Sequence, residues 1–97
     1  MCIRDRAYTT LERDTGGLAR ASLDAPGGAT GAELWVDRGF PYLMVYTGDT
    51  LPELQRRRRA VAIEPMTCPP NALRTGKDVV DLQPGQEWTA RWGIEPR

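Results

Sequence analysis

Val61-Ala62-Ile63-Glu64-Pro65-Met66-Thr67-Cys68-Pro69-Pro70-Asn71-Ala72 sets an apolar run against a proline-rich turn, with one carboxylate at the junction. The run reads as a strand that delivers Glu64, and Pro65, Pro69 and Pro70 are expected to force the chain out of regular pairing directly afterwards. A carboxylate emerging there sits at the rim of a sheet on stiff backbone. That is where a general base is wanted: rigidly aimed, partly desolvated, and able to take a proton from a bound hydroxyl. The plainer alternative is a glutamate at a strand end pointing into water.

Working outward, the rest of the chain is patterned in twos. Leu34 and Val36 alternate with Glu33, Trp35 and Asp37, and Leu43 and Val45 alternate with Tyr42, Met44 and Tyr46. Both faces of this second segment are apolar or aromatic, as expected for a strand inside a sandwich or under a cleft. Tyr42 and Tyr46 fit core or wall positions whose hydroxyl reaches a partner, or else an aromatic face offered to a sugar ring. Glu87 to Ile94 places Trp88, Ala90, Trp92 and Ile94 on one face, which predicts burial in a closing strand. Strands are expected near residues 18–23, 33–37, 42–46, 60–64 and 86–94, with a first short one over 7–11. No helix longer than about two turns is expected. Asp14-Thr15-Gly16-Gly17 is a turn, and Asp24 to Gly31 is a glycine-rich loop where a hairpin reverses. That loop lacks the Lys-Ser/Thr pair and following helix of a phosphate cradle.

Composition narrows the function. Of 97 residues, 40% are hydrophobic and 27% charged, the balance of an ordinary globular protein. Thirteen basic and thirteen acidic residues cancel, so no global field recruits nucleic acid or an anionic membrane. Arg56 to Arg59 lacks interleaved aromatics and reads as a solvated connection rather than a nucleic-acid site. No apolar stretch is long enough to span a bilayer. The chain has no histidine and two cysteines, Cys2 and Cys68. A disulfide framework is therefore not expected, which fits a cytoplasmic location. A zinc ligand set and a Ser-His or Cys-His catalytic pair are missing as well.

The Ala62 to Ala72 run resembles the C-terminal signature of the aldose 1-epimerase (galactose mutarotase-like) family, in the bacterial branch that carries A-x-E-P-M-T-C-P-P-N-A. Phe40 to Asp49 is similar to that family's strand ending in an aromatic-Thr-Gly turn. Leu82 to Ile94, with its L-x-P-G-x-x-W core, resembles the closing strand. The three pieces stand in the family's order and cover roughly residues 7 to 94. The resemblance implies an all-β fold, a galactose mutarotase-like antiparallel β-sandwich, of which residues 7–97 would form the C-terminal part. Residues 1–6 read as a leader foreign to that domain: they hold no secretory signal and do not continue the first strand.

The implied activity is interconversion of the α and β anomers of free aldoses, aldohexoses such as glucose or galactose. The C1 hydroxyl loses its proton while the ring oxygen gains one; the ring opens, C1 rotates and the ring recloses. No metal, nucleotide or redox cofactor is required. Glu64 matches the family's base, a carboxylate able to accept that proton. Asp5, in Asp5-Arg6-Ala7-Tyr8, fits the spacing of the family's substrate-binding aspartate. The family's acid is a histidine, absent from this chain, so the polypeptide by itself is expected to be inactive. Two alternatives stand beside this reading. One is a carbohydrate-binding β-sandwich without turnover. The other is a hexose-6-phosphate 1-epimerase, which would need an arginine-rich phosphate pocket.

Overall fold

The computed structural model describes residues 6–97. Six strands form two antiparallel three-stranded sheets, one ordered β1-β4-β5 and the other β2-β3-β6. The strands are β1 (Arg6–Tyr8), β2 (Ala19–Asp24), β3 (Gly31–Val36), β4 (Tyr42–Tyr46), β5 (Ala62–Met66) and β6 (Trp92–Pro96). Among the described residues helix is confined to a single 3-10 turn (Leu54–Arg56) and a four-residue α1 (Ala72–Thr75). The fold is all-β, and the two sheets share one core, consistent with a β-sandwich. Ala19, Leu34 and Val36 from one sheet and Leu43 from the other form that core, with Leu11, Ala21, Phe40 and Ile63 packed against it.

β3 follows the period-2 pattern: Leu34 and Val36 are buried while Glu33 and Trp35 face outward. The glycine-rich loop reverses the chain between β2 and β3, where Ala19 pairs with Val36 and Asp24 with Gly31. Outside the core, Glu33 gathers the ends of this sheet. It accepts from Ser22 Oγ at 3.0 Å, pairs with Arg20 at 3.2 Å and receives Arg97 at 2.6 Å. The Asp14 turn is also formed, its carboxylate capping the Leu18 N–H at 3.0 Å. Arg13 staples the turn to the start of β4. Its guanidinium donates to the carbonyls of Gly17, Asp37 and Phe40 at 3.0, 2.9 and 2.8 Å.

Three sequence expectations need correction. The first strand ends at Tyr8 rather than Leu11, because Thr10 takes a left-handed conformation (φ 54°) that breaks extended pairing. The closing strand covers only Trp92–Pro96, not 86–94. Asp37 sets this limit: its N–H donates to the Arg91 carbonyl at 3.0 Å, and its carboxylate takes the Arg91 N–H at 2.8 Å. The chain thus joins β3 only from that point. Trp88, expected to be buried in the closing strand, instead packs edge-on against Phe40 at 6.3 Å and stays partly exposed. Trp92 and Ile94, on the edge strand β6, are also exposed.

The third correction concerns Pro65, which does not end the strand. Among the described residues β5 is an edge strand paired only with β4, and an edge strand tolerates a proline because half of its N–H groups face away from the ladder. The boundary drawn after residue 6 falls at β1: Arg6 opens that strand opposite Val45, and residues 1–5 lie outside the described residues. No helix among the described residues is long and apolar enough to cross a membrane.

Candidate functional site

Alternation along β4 and β5 decides what surrounds Glu64. Leu43 and Ile63 turn into the core, so their neighbours along each strand must face the other way. The register sets Met44 opposite Glu64, Tyr42 opposite Met66, and Tyr46 opposite Ala62. Ala7 of β1 pairs with Met44 on the other side. Glu64 therefore stands on the outward face of this sheet, in the middle of β5 rather than at its end. Tyr42 and Tyr46 are its diagonal neighbours, at about 7–8 Å between backbones.

The groups around it are tied down. Tyr42 is buried, at 6% exposure, and its hydroxyl donates to the Asp78 carboxylate. That bond, with burial, holds the Tyr42 pKa above the usual tyrosine value. Asp78 lies in the irregular segment after α1, with its own backbone left-handed (φ 54°). The pair thus anchors the chain that follows the proline-rich turn. Tyr46 shares a 2.8 Å hydrogen bond with Thr50, fixing the other end of the strand. Among the described residues the Glu64 carboxylate makes no ion pair and no side-chain hydrogen bond, and the residue is exposed. Chemically this is a free proton acceptor beside two oriented tyrosines.

Among the described residues, three cavities lie away from Glu64. One, of about 300 Å³, is bordered by Thr47, Arg58 and Arg59; another, of about 440 Å³, by Leu51, Gln55, Arg56 and Arg59. The third, of about 260 Å³, is the apolar gap between the sheets. The arginine run is an exposed connection, as its composition implied. Arg56 pairs with Glu53 at 3.8 Å, Arg58 with Asp49 at 3.7 Å, and Arg57 Nε donates to the Leu51 carbonyl at 2.8 Å.

Asp5, the expected substrate-binding aspartate, lies outside the described residues, as does Cys2. Cys68 is a free thiol. No group of three or more His, Cys, Asp or Glu side chains comes together for a metal among the described residues. Asp78 was not legible as a member of this face, since Lys77-Asp78-Val79-Val80-Asp81 carries no periodicity that would place it against Tyr42.

No known family model matches this chain, and no solved structure matches it. A 54-residue stretch, 56% of the chain, is 39% identical to the uncharacterized protein YihR of Escherichia coli (strain K12). The match spans 14% of the length of that relative.

Proposed function

We propose that this chain is the C-terminal part of an aldose 1-epimerase of the galactose mutarotase-like fold, with Glu64 as the base that takes the C1 hydroxyl proton. The observation that carries this reading is the free carboxylate of Glu64. It is held in a paired strand between two oriented tyrosines and followed at once by the Pro65-to-Ala72 run that resembles the family signature. A structural carboxylate is ordinarily satisfied by its neighbours, whereas a base must keep a lone pair for substrate. The general acid would be supplied from sequence upstream, since the chain holds no histidine. The all-β architecture of two antiparallel sheets supports the reading without singling out this family.

Polarimetry of freshly dissolved glucose or galactose, corrected for spontaneous mutarotation, tests the proposal. The 97-residue chain should not accelerate mutarotation, while a polypeptide extended by its upstream sequence should. In that longer protein Glu64→Gln preserves volume but cannot take the proton, so turnover should fall by at least about 10² with sugar binding retained. Unchanged turnover would remove Glu64 from the mechanism. Retained sugar binding with no turnover in either form would favour a carbohydrate-binding sandwich.

A further inference from the structure

Three of the four arginines from Arg56 to Arg59 have partners. Arg56 and Arg58 pair with carboxylates, and Arg57 holds a backbone carbonyl. Among the described residues the Arg59 guanidinium has no ion pair and no hydrogen-bond partner. It stands with Ala60 in the wall shared by two cavities, of about 300 and about 440 Å³. Arg58 and Thr47 border the first, Gln55 and Arg56 the second, and no carboxylate lines either. Both walls are thus rich in N–H donors and hold no acidic group to neutralise them. The loop between them is closed on itself. The Arg58 N–H donates to the Thr47 carbonyl at 3.0 Å, with Arg58 in a left-handed conformation (φ 57°).

We propose that this loop binds a small tetrahedral oxyanion, phosphate or sulfate, free or as the end group of a monoester, with Arg59 as its main ligand. A guanidinium without a counter-charge, set among other guanidiniums, raises the local potential, and a bound anion relieves it. The planar fork of arginine matches two oxygens of such an anion at once. Both cavities fall in the range of about 300 to 1,000 Å³ usual for small-ligand sites. A discrete anion is favoured over a nucleic-acid strand, because neither wall carries an aromatic ring on which bases could stack and the chain has net charge +0. The site is separate from Glu64. Leu23 and Val61 line both the smaller arginine-bordered cavity and the apolar gap between the sheets, so that cavity opens on the inward side of β5, across the sheet from the carboxylate. It is therefore not the phosphate pocket that a hexose-6-phosphate epimerase would set beside its base.

An amide NMR titration of the 97-residue chain at low ionic strength tests this, with inorganic phosphate, sulfate and phenyl phosphate as probes. Shifts should concentrate in residues 47–61, with a dissociation constant of about 1 mM or tighter for at least one probe. Tighter binding of phenyl phosphate would identify a monoester as the ligand, and tighter binding of an inorganic probe the free anion. Arg59→Ala should weaken binding by about 10-fold, and Arg59→Lys, which keeps the charge but loses the fork, by about 3-fold. Arg59 is exposed and unpaired, so neither change disturbs the fold. Arg74→Ala is the control: it removes an exposed arginine on α1 that lines neither cavity, and should leave binding unchanged. Asp49→Asn removes the charge that competes for Arg58 and should tighten binding by about 3-fold, a gain that misfolding cannot produce. The proposal is overturned by shifts absent from residues 47–61 up to about 20 mM of every probe, or by equal losses in Arg74→Ala and Arg59→Ala. Tighter binding of a single-stranded oligonucleotide, weakened as much by Arg56→Ala as by Arg59→Ala, would also overturn it.

Discussion

The Tyr42 hydroxyl donates its one hydrogen bond to the Asp78 carboxylate. The bond keeps the neutral phenol favoured in the fold, so the Tyr42 pKa stands above its ordinary value. Above about pH 10 the unfolded chain releases this proton while the folded one retains it. The stabilisation is therefore complete below about pH 10 and is lost as pH rises through the folded-state value. Thermal melts from about pH 8 to about pH 11.5 should show wild type losing stability faster than Tyr42→Phe, which keeps the ring but has nothing to ionise. Parallel curves would mean that the Asp78 contact contributes nothing in solution. This residue also marks how far the site was legible. A buried tyrosine whose hydroxyl finds a partner follows from a strand apolar on both faces. The partner's identity does not, because Asp78 lies 36 residues further on, in the irregular segment after α1. For Glu64, strand placement was readable from the apolar run. Its exposure was not, since that depends on what lies over β5.

At the scale of elements, β3 is the centre of its sheet, with β2 on one side and β6 on the other. Trp35 lies across β6 directly over Gly93, where a β-carbon would stand 2.6 Å from the indole ring. The glycine weakens its own strand, and the indole covers the backbone it leaves bare. Gly93→Ala should force the ring aside and destabilise the fold by about 2 kcal/mol, as overpacking commonly does. Urea unfolding measures it; a neutral result would mean Trp35 swings free at no cost. The elements themselves were mostly written in the pattern. β2, β3 and β4 stand within two residues of where alternation and the flanking glycines put them, because each pairs along its length. The errors lie where pattern and pairing part company. Residues 86–91 alternate like a strand, yet Asp37 admits the chain to the sheet only at Arg91. Pro65 reads as a breaker, yet an edge strand tolerates it.

At the scale of the whole molecule the core is too small for the chain. Val36 is the one large side chain among the described residues that is fully buried, while tryptophan, leucine and isoleucine side chains lie on the surface. The radius of gyration, 15.6 Å, exceeds the roughly 13 Å of a compact domain of this length. Hydrophobic burial is the main favourable term in folding, so a chain that leaves so much apolar surface in water has little margin against conformational entropy. What is left to hold the fold is local fit, and β6 shows the contrast in adjacent residues. Ile94 is 62% exposed, so Ile94→Asp should cost less than about 1 kcal/mol, whereas Gly93→Ala, at a site pressed against the Trp35 indole, should cost about 2 kcal/mol. Urea unfolding of the two variants checks this, and a loss at Ile94 as large as that at Gly93 would mean that Ile94 is covered in solution.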